Sequence, residues 1–236
     1  MNTGVGHDEV DWNEDGALRA ALGRTAEEVG LALPEPDGTS GSLAVYVDAG
    51  SGRRVTVYPW GGRRQVFEVG FQLKGPRLAF GRTGDLAEVV RATAAWTDGV
   101  RLEETRARAP FVRFRPWALA HEQEPLGKVE LTWSLKLDRI HMPPFDRHPR
   151  AHAVLAAAYA QPVLRGLMPV NSHYNLWFST SVEEPGKARV GHVLLPYDEG
   201  CYGVWNRGEP IARTETAEEA VALVVAALPE GLGPAS

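Results

Sequence analysis

Cys201 is the only cysteine among 236 residues. An intrachain disulfide is therefore excluded, and so is a zinc site built on cysteines. Lysine is nearly as scarce, at Lys74, Lys128, Lys136 and Lys187 only, so the positive charge is almost all arginine. No apolar run approaches the roughly 18 residues that a membrane-spanning helix needs. The opening stretch, MNTGVGHDEVDWNEDG, is acidic and polar, without the basic and apolar regions of a secretory leader. A cytoplasmic location is the expectation, with no membrane partner. A strand–GxGxxG–helix fingerprint, a phosphate-cradling glycine loop and a serine nucleophile elbow are also missing. Gly61-Gly62 and Gly75 read as turn glycines, and no cofactor is expected.

The formal charge of -5 is mild. It argues against a nucleic-acid partner, whose affinity would come from neutralised phosphates. The pairs Arg53-Arg54 and Arg63-Arg64 sit at apparent turns and read as solvated charges. With 44% hydrophobic and 23% charged residues, the chain has an ordinary globular composition. The expected organisation is a loose tail over 1–14 and a single α+β domain over 15–236.

The periodicities support that class. Leu18, Ala21, Leu22 and Val29 form one stripe of a helix predicted over about 15–33. A β-meander follows, with strands at Leu43–Asp48, Val55–Pro59, Gln65–Leu73 and Leu78–Phe80. The third alternates cleanly through Phe67, Val69, Phe71 and Leu73. Thr83 or Asp85 can cap the next helix, which Asp98-Gly99 ends. Leu102–Arg108 reads as a short helix, and Pro110 and Pro116 bound a loop or short strand. Val129–Leu137 alternates and reads as a strand first. A helix is the second reading, because Val129, Trp133 and Leu137 also share a helical face. Pro149 can open a helix through Tyr159, and Pro162 a short turn to Met168. Strands are expected again at Tyr174–Ser179, Val190–Pro196, Cys201–Trp205 and around Ile211. Thr216 and Glu219 have capping-box spacing. The result is two antiparallel meanders, each followed by an amphipathic helix, with a helical middle segment.

The two ends echo each other. Gly81–Val90 and Ala212–Val221 align with Arg, Thr, Glu and Val in register. Two lobes, 42–99 and 172–230, are one reading. A generic strand–cap–helix solution is the other.

Several motifs carry a resemblance. They are Gly81-Arg-Thr-Gly-Asp-Leu-Ala-Glu-Val-Val90, Ala95-Trp96, Pro110-Phe111-Val112, His121-Glu122, Ala158-Tyr159-Ala160, Leu164-Arg165, Ser172-His173 and the closing Thr-Ala-Glu-Glu-Ala-Val run. As a set, spanning about two-thirds of the chain from residue 64 onward, they resemble an actinobacterial family labelled natural-product biosynthesis proteins. The resemblance implies a role in or beside specialised metabolism. It implies no reaction, cofactor or catalytic residue.

The residues themselves offer one pocket candidate. In the strand after Ser172, Tyr174, Leu176 and Phe178 share one face, while His173, Asn175, Trp177 and Ser179 share the other. The second set mixes the groups that line polar pockets. His173 and His192 are the candidate acid–base residues. Asn175, Trp177, Trp205 and Tyr202 are the candidate substrate contacts. If residues 196 and 201 pair across the Asp198–Gly200 turn, His192 faces Trp205 and lies far from Cys201, which reads as a packed thiol. His148 and His152 have a metal-compatible spacing, but Pro149 between them argues against a metal site, and none is expected. Two functions follow. One is a small-molecule protein of specialised metabolism, with a cofactor-independent enzyme as its catalytic form. The other is a non-catalytic interaction or immunity-like protein that binds a partner, such as a protein of the same pathway, through a sheet face.

Overall fold

The computed structural model describes residues 12, 14, 16–37, 42–60, 66–139, 148–197 and 200–236. It is α+β, and the chain divides into two compact units, Met1–Pro125 and Leu126–Ser236. The division falls inside the helical middle segment. Among the described residues, no helix is long and apolar enough to cross a membrane.

The first unit opens with α1 (Ala17–Glu28) and a meander of β1 (Ala44–Asp48), β2 (Arg53–Trp60), β3 (Val66–Leu73) and β4 (Arg77–Thr83). Then come α2 (Leu86–Thr97), α3 (Leu102–Arg108), β5 (Arg113–Phe114) and α4 (Pro116–Gln123). The sheet order is β1-β2-β3-β4-β5, antiparallel throughout. Helix α1 ends earlier than its stripe predicts because Gly30 adopts φ +67°, the left-handed turn that closes a helix. The short strand read between Pro110 and Pro116 is β5, and the helix α4 that follows, not foreseen, carries Pro116 in its first turn. Of the stretch read as a tail, Trp12 and Glu14 are described, and the Trp12 indole meets the Phe67 ring edge-on at 5.3 Å.

The core of this unit lies where α1 and α2 cover one face of the meander. Leu18 and Leu22 meet Val89, Val90 and Trp96 over Val55, Val57, Phe67, Val69 and Phe71. Arg53 is not a solvated turn charge: its residue is 9% exposed. It follows the same alternation as Val55 and Val57, which aims it at the end of α2. Its Nη1 donates to the carbonyls of Trp96 (3.2 Å) and Val100 (2.5 Å), and its guanidinium lies 4.2 Å over the Trp96 ring. Its Nη2 meets Glu122 of α4 at 3.4 Å, while Glu122 accepts the Leu102 amide that opens α3. One ion pair thus joins the ends of three helices. Arg63-Arg64 lie outside the described residues.

Gly81 of β4 is required by close approach. A Cβ there would stand 2.3 Å from the Phe111 carbonyl oxygen and 2.6 Å from its ring. Gly81→Ala is expected to cost about 1–3 kcal/mol, as overpacking does. A urea midpoint equal to that of the wild type would refute this account.

The other face of the sheet carries a partnered acid. Glu68 accepts a bond from the Tyr58 hydroxyl, two from Arg82 (2.9 and 2.7 Å) and one from Arg77 (3.4 Å). Burial pushes its carboxyl upward, but the Tyr58 and Arg82 hydrogen bonds win and hold it below its usual value. A carboxylate depressed in the folded state stabilises above its unfolded pKa and loses that contribution as pH falls through the folded value. Wild type should therefore lose more stability than Glu68→Gln on acidification below roughly pH 4.5. Parallel unfolding curves against pH would refute it.

The second unit contains α5 (Lys128–Arg139), α6 (Pro149–Ala160), α7 (Pro162–Arg165), the strands β6 (Met168–Ser172), β7 (Asn175–Ser179), β8 (Arg189–Pro196), β9 (Tyr202–Asn206) and β10 (Glu209–Thr214), and α8 (Ala217–Ala226). Its antiparallel sheet has the order β10-β9-β8-β7-β6. Residues 129–137 form a helix, not the strand that was the first reading. Trp133 is 1% exposed, and Val129 and Leu137 pack on the same core. The shared helical face therefore decides the period. Helices α6 and α8 contribute Val154, Ala158, Val221 and Val224 to a core with Leu176, Phe178, Leu194 and Val204 of the sheet.

Each unit thus contains a helix, an antiparallel meander (four strands in the first, five in the second) and a helix that follows it. The two runs that match in sequence hold equivalent places. Asp85 and Thr216 are both N-caps, and Thr216 with Glu219 completes the capping box. Thr83 stands opposite Phe67, which stands opposite Pro59; Thr214 stands opposite Tyr202, which stands opposite Pro196. Arg82 lies 4.1 Å over Trp60, and Arg213 lies 5.5 Å over Tyr197.

Candidate functional site

The candidate histidines do not share a strand face. His173 sits in the two-residue turn between β6 and β7, exposed, with φ +54°. That left-handed backbone is uncommon outside glycine, asparagine, aspartate and histidine. Its Nδ1 is 3.4 Å from the Ser172 hydroxyl. Tyr174 shares the turn, and its ring stacks on His148, the N-cap of α6, at 3.8 Å. His192 lies in an irregular stretch of β8, where Leu176 pairs with Leu194 but Phe178 pairs with Val190. Gly191 takes φ +64° there. The His192 Nδ1 is buried and has no hydrogen-bond partner among the described residues.

The hairpin register differs from the expected one by a residue. Tyr197 donates its amide to the Cys201 carbonyl, Pro196 pairs with Tyr202, and Val193, not His192, stands opposite Trp205. A one-residue shift exchanges the faces. Tyr202 consequently packs into the core, 8% exposed. Trp205 lies on the other face and donates its indole N–H to the Tyr197 hydroxyl at 2.8 Å. Both rings rest over Gly203, where a Cβ would come within 2.8 Å of each. Asn175 adjoins the turn, and Trp177 stands opposite Val170 of β6. Ser179 is buried and donates to the Ser181 and Ala188 carbonyls. The Cys201 thiol accepts from Arg213 Nε at 2.7 Å. His141, Asp198 and Glu199 lie outside the described residues. Among the described residues, no three His, Cys, Asp or Glu side chains gather as metal ligands.

A cavity forms elsewhere in the second unit. A cleft of about 700 Å³ is lined by Gly127, Lys128, Val129, Glu130 and Trp133 at and within α5, Tyr159 of α6, Arg165 at the end of α7 and Gly166 after it, Val182 and Glu183 between β7 and β8, and Pro234 and Ala235. That volume is in the range of small-molecule sites. Trp133 and Tyr159 are in ring contact, 5.4 Å between centroids. Trp133 also stacks against Phe178 at 6.3 Å and donates to the Leu167 carbonyl at 3.2 Å, so its position is fixed from three sides. The Arg165 guanidinium lies 5.6 Å over the Tyr159 ring. Lys128 is paired with Glu183 across the cleft wall. The last wall is held by backbone bonds: Ala235 N–H to the Gly166 carbonyl (2.9 Å), Ser236 N–H to Thr180 (3.0 Å), and Val182 N–H to Ser236 (3.1 Å).

Sequence reasoning did not find this cleft. Tyr159 and Arg165 belong to the motifs that carry the resemblance, but nothing in their spacing shows that they meet Trp133 and the last residues of the chain.

Comparison with known proteins adds one match. The model of a family described as "Family of unknown function (DUF6193)" matches residues 128–236. No curated protein matches, and no solved structure matches. The matched stretch is the second unit almost entire, and it contains every lining residue of the cleft except Gly127.

Proposed function

We propose that this chain binds a small molecule in the cleft of its second unit, in the setting of specialised metabolism. The carrying observation is the cleft itself: a fixed aromatic pair, a guanidinium stacked on it, and charged groups at its sides, all within the family-matched stretch. Such a mix of apolar surface and few polar groups is what ligand sites share. The metabolic setting rests on the resemblance to proteins labelled for natural-product biosynthesis. Comparative metabolomics of a gene deletion tests that setting, and an unchanged metabolite profile counts against it.

The binding site has its own test. A compound screen by thermal shift should yield ligands whose stabilising effect disappears in Tyr159→Ala and persists in His173→Ala. The reverse pattern would move the site to the 171–179 strand and overturn the proposal.

A second reading, docking of a protein from the same pathway, is favoured by the sheet face opposite α6 and α8. Trp177, Val193 and Trp205 alternate onto that face, and Ile211 at its edge is 51% exposed. Loss of a co-purifying pathway protein on Trp177→Ser substitution, with the cleft ligand still bound, would support it.

A further inference from the structure

We infer that the cleft ligand is a zwitterion: an apolar or aromatic molecule carrying both a carboxylate and an ammonium group, as amino acids and short peptides do. The inference rests on the proposed small-molecule reading and names the ligand's chemistry. Four charged side chains line the cleft, and two of them, Lys128 and Glu183, neutralise each other. The other two are Glu130 and Arg165. Both are exposed, and among the described residues neither has an ion-pair partner. Opposite charges in one cleft that do not pair with each other can each take a group of the ligand.

Arg165 suits the carboxylate. Its guanidinium is planar, offers a forked set of donors, and is oriented by the Tyr159 ring. Glu130 stands on the first turn of α5, on the same helix as Trp133, and suits the ammonium. In the same cleft the exposed Tyr159 ring, held by the buried Trp133, offers a surface for an apolar side chain. A ligand of one charge only would leave Glu130 or Arg165 without a partner. It would also meet a like charge in the same cleft.

The test is calorimetric titration of the full chain with L-tryptophan, indole-3-propionate and tryptamine, which share the ring and differ in charge. L-phenylalanine, 3-phenylpropionate and phenethylamine form a second series. In the wild type, the zwitterion should bind about tenfold more tightly than either single-charge analogue. Arg165→Ala should reduce tryptophan to the affinity of tryptamine, and Glu130→Gln should reduce it to that of indole-3-propionate. Both positions are exposed, and unchanged unfolding midpoints will confirm intact variants. If the single-charge analogues bind as well as the zwitterion, and Tyr159→Ala still weakens them, the charge assignment falls while the cleft stands. If neither series binds at millimolar concentration, the zwitterion assignment falls. If binding is unaffected by Tyr159→Ala, both readings fall.

Discussion

Arg53→Met is expected to cost about 3–5 kcal/mol of stability, the usual effect of removing one partner of a buried ion pair. The loss has three parts. Glu122 is left with its charge 4% exposed and no cation. The carbonyls of Trp96 and Val100, at the end of α2, lose their donor. The Trp96 ring loses the cation above it. Arg53→Lys keeps the charge but cannot reach both carbonyls and Glu122 at once, so it should recover only part of the loss. Glu122→Gln should be milder, because an amide oxygen can still accept the Leu102 N–H. Urea unfolding followed by tryptophan fluorescence ranks the three variants. A shift of less than about 1 kcal/mol for Arg53→Met would show that the pair is dispensable.

Trp133→Ala is the second large effect, again about 3–5 kcal/mol, typical of deleting a buried aromatic. The indole touches Phe178 and Tyr159 and bonds to the Leu167 carbonyl, so its removal opens a void where α5 meets the sheet. Trp133→Phe keeps most of the volume and leaves that carbonyl without its donor, a loss of about 1–3 kcal/mol. The pair separates packing from hydrogen bonding. Equal losses for the two would assign the whole effect to the hydrogen bond and contradict the packing account. Because the same ring lines the cleft, ligand affinity should fall in both variants, and further in the alanine.

The meanders were legible because their signal is local. Phe67, Val69 and Phe71 alternate against Glu68 and Gly70 whatever lies around them, and the caps at Asp85 and Thr216 are written within four residues. The helix over 128–139 was ambiguous for a definable reason: Val129, Trp133 and Leu137 satisfy both a period of two and a helical face. Strand β6 escaped notice because it is short, sits at the sheet edge and contains Pro169, a residue that edge strands tolerate. The faces of Tyr202 and Trp205 depended on a hairpin register that a single residue inverts. The buried role of Arg53 depended on partners more than forty positions away, as did the cleft, whose walls come from five separated stretches. No local pattern encodes such a meeting.

That scatter bears on how the protein is made. The first wall of the cleft, on α5, leaves the ribosome well before the last, at Pro234 and Ala235. The bonds from Ala235 and Ser236 to Gly166 and Thr180 cannot form until the final stretch has emerged. The first unit can be folding while the second is still being synthesised. The cleft, by contrast, cannot close until residues 234 and 235 have been made, so a nascent chain stalled short of residue 234 would have no finished binding site.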